Sequence, residues 1–161
     1  MTQYNEAQFM QEFMKRAQAF KLQVDCLGTG RLDSEICIIA EAPGEREAAM
    51  KMPLVGGSGS LVWNTLRPSD ITRKDCYITN VIKKQVAMST KTDARSPISK
   101  PELEHWEGLL DWELDCLPQL KFILALGNAA LHALTGDSGI TNGEGVSSTV
   151  KLARIDELSR L

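Results

Sequence analysis

An uninterrupted apolar run, Ile36 to Ala40, passes directly into a turn that contains proline and small residues. Because the run has no polar alternation, it is typical of a strand covered on both faces, as in the parallel sheets of α/β proteins. Pro43 lacks an amide hydrogen and Gly44 permits a tight turn, so the strand ends there. Ligands of open α/β sheets collect where such strands end, which predicts a site at residues 41–44. Taken alone, the same residues are equally typical of an ordinary turn and loop.

Two later segments of the chain show the same layout. Residues 75–83 read as a strand that carries the polar pair Thr79 and Asn80 among β-formers, where a core strand usually carries apolar residues. Residues 121–126 are again apolar, and Gly127 follows them before a helical segment. Three apolar strands that each end in polar or glycine residues predict one shared crevice.

The remaining periodicity predicts a single domain over residues 1–161. Apolar spacing of three and four residues favours helices over 5–20, from about 58 to 66, over 101–117 and over 129–134. Between them lie candidate strands near residues 36–41, 76–82, 121–126 and 148–154. This order predicts a three-layer α/β/α sandwich around a central, mainly parallel four-stranded sheet.

Composition excludes several classes of protein. The formal net charge is −3, which argues against a DNA-coating protein held mainly by phosphate contacts. No 18-residue apolar run occurs, and the first 20 residues are interspersed with charges, so neither membrane insertion nor secretion is expected and we predict a cytoplasmic protein. A local basic stretch remains, with one acidic residue, and it fits either a solvated loop or a DNA contact. Its members are Lys83, Lys84, Lys91, Arg95 and Lys100, with Asp93.

Four cysteines stand at positions 26, 37, 76 and 116, without any closely spaced pair. Zinc ribbons and metal knuckles need such pairs, so buried reduced thiols are favoured over metal ligands. We therefore expect neither a metal nor another cofactor.

Four short motifs occur in a characteristic order: AEAPGE, PLVGGSGSL, YITNVIK and ALGNAA. Together they resemble the uracil-DNA glycosylase superfamily, especially its family-4-like branch, over about residues 24–143. The resemblance implies a DNA-binding hydrolase that cleaves the N-glycosidic bond of uracil in base excision repair. Its substrate would be DNA that contains uracil.

The resemblance also implies roles for particular residues. Asn80 would read the uracil edge, since a carboxamide offers one donor group and one acceptor; otherwise it is a strand-end asparagine that bonds to backbone. Glu41 would act on the sugar side, either by orienting water or by stabilising positive charge; otherwise it is an ordinary surface charge. The base pocket would be lined by Ala42, Pro43, Gly44 and Leu54.

DNA phosphates would be held by the glycine-rich entry into the second helix and by the lysines after the second strand. The small side chains and exposed amides at such a helix start suit an anion. Without the resemblance, plain capping of the helix by Ser58 to Ser60, with a mobile loop, is the favoured interpretation. The predicted phosphate contacts are Gly57, Ser58, Gly59, Ser60, Lys83 and Lys84.

The chain departs from the family pattern in three ways. Leu54 replaces a phenylalanine that stacks on the base, and no His-Pro-Ser motif occurs, since the run ARIDELSRL stands where it is expected. The family-4 [4Fe-4S] cluster needs four cysteines, but Lys84 and approximately Trp106 occupy two ligand positions, and of the remaining pair only Cys26 is found. The resemblance therefore implies a cluster-free member, either a weak glycosylase or a catalytically inactive module that binds DNA or a replication or repair protein.

Overall fold

The computed structural model describes residues 4–86 and 98–136, together with the backbone of residues 150–154. The helices are Glu6–Ala19 (α1), Glu45–Met50 (α2), Gly57–Leu66 (α3), Lys100–Asp115 (α4) and Asn128–Thr135 (α5). The strands are Ile36–Ala40 (β1), Cys76–Asn80 (β2), Phe122–Leu126 (β3) and Val150–Arg154 (β4), and two short 3₁₀ turns cover Arg67–Ser69 and Arg73–Asp75. Most of the predicted loop from residue 88, with Lys91, Asp93 and Arg95, lies outside the described residues, as does the end of the run ARIDELSRL.

The four strands form one sheet in the order β2-β1-β3-β4. β1 lies parallel to both β2 and β3, whereas β4 is antiparallel to β3, which confirms the mainly parallel four-stranded sheet. Ala40 pairs with Asn80, and Ile39 pairs with Ala125. The carboxyl ends of the three parallel strands therefore lie at one edge, as the shared-crevice prediction requires.

The two faces of the sheet bury different side chains, as strand alternation demands. Cys37 and Ile39 pack on one face with aromatic and aliphatic side chains of α1, α4 and α5. Ile38 and Ile78 pack on the other face, where α3 contributes Val62 and Trp63. This arrangement confirms the three-layer α/β/α architecture.

The helix boundaries follow local sequence signals. Asn5 caps α1 through a capping box. Its side-chain oxygen accepts from the Gln8 amide at 2.9 Å, and the Gln8 side-chain oxygen accepts from the Asn5 amide at 3.1 Å. In α4, Pro101 occupies the first turn after the Ser99 cap. Within the described ranges, the helices are all too short or too polar to cross a membrane.

The predicted apolar face of α1 is only partly buried. Phe9, Phe13 and Ala17 belong to the core, as expected from their spacing. Met10 and Met14, however, are 51% and 45% exposed. The helix therefore buries a narrower stripe than its apolar residues would allow.

Candidate active site at the carboxyl edge of the sheet

Asn80 is the last residue of β2 and its side chain is almost completely enclosed, with 3% of the residue exposed. Its backbone oxygen accepts a hydrogen bond from the Lys83 ammonium group. Its side-chain Nδ2, in contrast, is buried without an acceptor among the described residues. Because a buried donor without a partner costs free energy, such a group marks a place where a ligand can supply the missing acceptor.

The turn at residues 41–44 lies beside this asparagine. The backbone ladder continues past the strand ends, since the Val81 amide donates to the Ala40 oxygen at 2.8 Å and the Ile82 amide donates to the Glu41 oxygen at 2.9 Å. These bonds place Glu41 next to the chain that leaves Asn80. Glu41 is exposed, Pro43 is buried, and Ala42 and Gly44 are half-buried. The structure thus brings Glu41 and Asn80 to neighbouring positions, one exposed and one enclosed.

Glu47 connects this turn to the glycine-rich loop, and its role was not predicted. Its Oε1 accepts hydrogen bonds from the amides of Val55 at 3.1 Å and Gly56 at 2.7 Å. A Cβ atom on Gly44 would lie 2.8 Å from its Oε2, and one on Gly56 would lie 2.9 Å from its Oε1. Both glycines therefore leave room for one carboxylate. The signal in the sequence was a glutamate standing between two glycine turns.

Leu54 is held by its carbonyl group as well as by its side chain. The side chain is 5% exposed and packs in the cluster that contains Ile38 and Ile78. The carbonyl oxygen accepts from Trp63 Nε1 at 3.1 Å and from Arg73 Nη2 at 2.9 Å. Since side chains alternate along a strand, this is also the face of β2 to which Asn80 belongs.

The amino terminus of α3 begins earlier than predicted. The cap residue is Gly56, which makes no side-chain cap bond, and the helix starts at Gly57. The prediction that Ser58 to Ser60 cap this helix is wrong, because the Glu47 carboxylate already fixes the Gly56 amide. Gly57, Ser58 and Ser60 are exposed, and Gly59 is buried.

Gly59 is required by close packing. A Cβ atom at this position would overlap the carbonyl oxygen of Leu54. The helix therefore approaches the 54–56 loop at a distance that only glycine permits. Gly59 positions the loop with its backbone, whereas its exposed neighbours are the residues that can meet a phosphate.

The two lysines predicted to contact phosphate have different surroundings. Lys83 is completely buried and forms an ion pair with Glu113, with 2.5 Å between Nζ and Oε2. Its prediction as a phosphate contact is wrong, because an enclosed and paired ammonium group cannot reach the DNA backbone. Lys84 is partly exposed and pairs with Glu102 at 3.2 Å. Its phosphate contact stays a prediction.

Glu113 is the centre of a buried polar network that sequence reasoning missed. Its Oε1 accepts from the Tyr77 hydroxyl at 2.8 Å and from the Thr79 hydroxyl at 2.9 Å. Burial, and then the adjacent Glu113 carboxylate, raise the pKa of Tyr77 well above its usual value, so this hydroxyl keeps its proton and donates. The available signal was the position of Glu113, which shares the apolar spacing of Leu110 and Leu117 in α4.

The cysteines do not fit a four-thiolate cluster. Cys37 and Cys76 lie on opposite faces of the sheet, and the described residues contain no group of three potential metal ligands. Burial raises the pKa of the Cys26 and Cys76 thiols to about 11, so both hold their protons at neutral pH rather than offering thiolates. Cys26, Cys37 and Cys76 are buried, as predicted, whereas Cys116 is half-buried.

Comparison with known proteins places these features in a family. A family model described as the uracil DNA glycosylase superfamily matches residues 27–155, a range that includes Glu41, Leu54 and Asn80. Type-4 uracil-DNA glycosylases are similar to segments of the chain. The Thermotoga maritima protein is 46% identical over 57 residues, which are 35% of this chain and 30% of that protein. The Archaeoglobus fulgidus protein is 41% identical over 56 residues, 35% of this chain and 28% of that protein.

A longer alignment joins the chain to the type-4 uracil-DNA glycosylase of Pyrobaculum aerophilum, at 32% identity over 110 residues, 66% of this chain and 51% of that protein. The chain thus aligns with between 28% and 51% of the length of these relatives. The family model covers most of the chain, and the fold agrees with it. The chain belongs to the uracil DNA glycosylase superfamily, in its family-4-like branch.

Proposed function

We propose that this protein is a DNA glycosylase that hydrolyses the N-glycosidic bond of uracil in DNA, as the first step of base excision repair. The observation that carries the proposal is the buried Nδ2 of Asn80, which finds no acceptor within the part of the chain that the structure describes. Native proteins rarely leave such a donor unpaired unless a ligand or water completes it. A base flipped out of DNA offers the missing acceptor.

Uracil matches a carboxamide at this position. Its edge presents a carbonyl acceptor beside an N–H donor, and the Asn80 side chain presents the complementary donor and acceptor. Cytosine replaces that carbonyl by an amino group, which would face Nδ2 with a second donor. Because Asn80 is held at the strand end and only 3% exposed, it cannot reorient without cost, so this mismatch favours uracil.

Glu41 supplies the sugar side of the reaction. In the step proposed, the bond between C1′ and the base nitrogen breaks with its electron pair on the base, and a water oxygen bonds to C1′. The proton that this water loses ends on the released base, which leaves neutral. The transition state carries positive charge on the sugar and negative charge on the base. The exposed Glu41 carboxylate, next to the chain that leaves Asn80, would orient the water or stabilise the positive sugar. Backbone amides of the 42–44 turn would help to hold the base.

The DNA backbone would bind at the start of α3. Gly57, Ser58 and Ser60 are exposed there, and the cap residue makes no side-chain bond to the first-turn amides. The amino end of a ten-residue helix attracts phosphate through those amides and its partial positive charge. Lys84, which forms an ion pair with Glu102, would add a positive charge near the phosphate.

A binding module without catalysis is the second candidate, and Leu54 is the observation that favours it. Leucine has no flat π face, so the base loses stacking worth roughly 1–3 kcal/mol. Its side chain also packs in the apolar cluster with Ile38 and Ile78. We therefore expect the hydrolytic activity to be weak. A module of this kind would bind DNA, or a replication or repair protein, without releasing base.

The two candidates are separated by a strand-scission assay on a fluorescent single-stranded oligonucleotide with one uracil. Alkali cleaves the strand wherever the base has been released. The proposed enzyme produces scission at uracil, and Asn80→Ala lowers the single-turnover rate by about 10²–10³, as expected when one stabilising donor is lost. Oligonucleotides with thymine or cytosine at the same position test base selection.

The matched control is Asn64→Ala, since Asn64 is an exposed asparagine of α3 that bonds only locally to Arg67 at 3.2 Å. It should cleave at the wild-type rate. Equal cleavage by wild type and Asn80→Ala would contradict the assignment of Asn80. Fluorescence anisotropy with the same oligonucleotide tests the non-catalytic module. If the wild type binds the oligonucleotide without any scission, that candidate is supported.

A further inference from the structure

We propose that Lys83 and Glu113 are positioning residues, which hold the end of β2 so that the Asn80 carboxamide faces the base. The inference rests on the proposed function, because it assigns Asn80 to base recognition. It concerns two charged side chains that the chemistry described above does not use.

The Lys83 side chain contacts the main chain of Asn80 directly. The Lys83 ammonium group donates both to the Asn80 backbone oxygen and to Glu113 Oε2, the latter at 2.5 Å. Both charged side chains are completely buried. Lys83 also lies 5.5 Å from the centre of the Phe13 ring, which excludes water from its remaining side. The carbonyl of Asn80 is thus bound to a charge that has no room to move.

The other oxygen of Glu113 holds the residue before Asn80. Its Oε1 accepts from the Thr79 hydroxyl at 2.9 Å, and Tyr77 completes the site at 2.8 Å. Thr79 points to the face of the sheet opposite Asn80, because side chains alternate along the strand. One carboxylate and one ammonium group therefore fix β2 on both sides of Asn80, and they leave its side-chain Nδ2 unpaired.

A glycine loop closes the network from outside. A Cβ atom at Gly28 would collide with the Tyr77 hydroxyl and with Glu113 Oε1, so only glycine lets the backbone pass this close. The same loop also bonds to the backbone of Lys83, since the amides of Asp25 and Cys26 donate to the Lys83 carbonyl oxygen at 2.8 and 3.0 Å. Three segments distant in sequence therefore converge on this pair.

Stability alone does not account for such an arrangement. A buried ion pair is often no more stabilising than apolar residues of similar volume, because desolvation offsets the attraction. Apolar residues, however, cannot hold the Asn80 carbonyl or the Thr79 hydroxyl. The charged pair fixes position, which is the property that a base-reading carboxamide needs.

The test replaces the pair by an apolar one, Lys83→Met with Glu113→Leu, and measures single-turnover uracil release with enzyme in excess. Circular dichroism reports the folded fraction, and the rate constant at saturating enzyme reports the competence of the folded molecules. We expect the rate constant to fall about tenfold to a hundredfold, in line with the cost of a small misplacement. Affinity for the oligonucleotide should stay unchanged, since neither side chain reaches DNA.

The matched control is Lys121→Met with Glu35→Leu. These residues form an ion pair of 2.6 Å at the opposite edge of the sheet, where both are about half exposed. It should react at the wild-type rate. Combining the apolar pair with Asn80→Ala should lower the rate no further than Asn80→Ala alone, because the support has nothing left to position.

A purely structural role predicts another result. The folded fraction and the melting temperature would fall while the rate constant at saturating enzyme stayed at the wild-type value, and that outcome overturns the inference. If the double variant does not fold, Glu113→Gln is tested in its place. Glutamine keeps an acceptor oxygen and the shape of the side chain, but it loses the negative charge that holds Lys83. An unchanged rate constant in this variant would again overturn the inference.

Failure of the proposed function is recognised separately. If the wild type releases no uracil, the proposed function fails. Hydrogen exchange of the Asn80, Val81 and Ile82 amides then tests whether Lys83 and Glu113 hold the end of β2. Faster exchange in the apolar-pair variant than in the control supports it, and equal exchange overturns it.

Discussion

The two sides of the candidate site are held in place by different means. On the base side, Asn80 is supported by the buried charges of Lys83 and Glu113, which belong to different elements. On the phosphate side, the loop at residues 54–56 is held through its backbone. Glu47 accepts hydrogen bonds from two of the loop amides, and Arg73 donates to the Leu54 carbonyl. The first side depends on paired charges in the interior, and the second on partly buried side chains and on close packing by glycine.

This difference determines what each side can tolerate. A buried ion pair is costly to break, because either partner left alone is an uncompensated charge away from water. A loop held by several side chains keeps the hydrogen bonds of the others when one of those side chains is changed. We therefore expect substitutions on the base side to affect the whole fold, and those on the phosphate side to act more locally.

The largest expected effect is that of Glu113→Ala. The substitution leaves Lys83 charged, buried and without its partner, which should lower the free energy of unfolding by about 3–5 kcal/mol. Urea denaturation followed by circular dichroism measures this change. Glu102→Ala is the matched control in the same helix, because its partner Lys84 is partly exposed, and it should cost less than about 1 kcal/mol. Equal losses in the two variants would remove the distinction between the two sides.

A smaller effect is expected from Gly59→Ala on the phosphate side. The added methyl group would overlap the Leu54 carbonyl, and overpacking of this kind costs about 1–3 kcal/mol. Gly57→Ala, two residues earlier, meets nothing within 4 Å and has no left-handed backbone. It should be neutral, or stabilising by about 0.4–1 kcal/mol through the unfolded state. A loss of the same size in both variants would show that helix propensity, and not the contact with Leu54, is decisive.

The features that were predictable from sequence are those fixed by neighbouring residues. The apolar run from Ile36 to Ala40 needs cover on both faces, and Pro43 ends it, so β1 and its turn follow from local chemistry alone. The Thr79 and Asn80 pair was conspicuous because polar side chains are costly within a buried strand. Parallel pairing then brings these strand ends together at one edge.

The features that were missed depend on partners far along the chain. Lys83 sits in a lysine-rich stretch that reads as a surface patch, and only Glu113, 30 residues later, makes its burial possible. The cap of α3 was misplaced for a similar reason, since the Glu47 carboxylate selects Gly56 from nine residues away. A pattern within one segment cannot reveal a bond that the fold creates between two segments.

The smallest expected effect is a pH dependence that compares thiols on the two faces of the sheet. Burial raises the pKa of Cys76 from 9.0 to about 11 on the Leu54 face, and it raises the pKa of Cys37 well above its usual value on the Glu113 face. Above pH 9 the unfolded chain releases these protons while the folded chain retains them, so the free energy of unfolding falls as pH rises from about 9 to 11.

Cys76→Ala removes one thiol from this balance and should reduce the loss over that interval by roughly 1–2 kcal/mol. Urea denaturation at pH 8 and pH 11 gives the change in the free energy of unfolding for each protein. The difference between the two pH values cancels the loss of stability that the smaller alanine side chain causes at every pH. If Cys76→Ala kept the full wild-type loss, Cys76 would contribute nothing to the pH dependence, and the drop would come from other titrating groups.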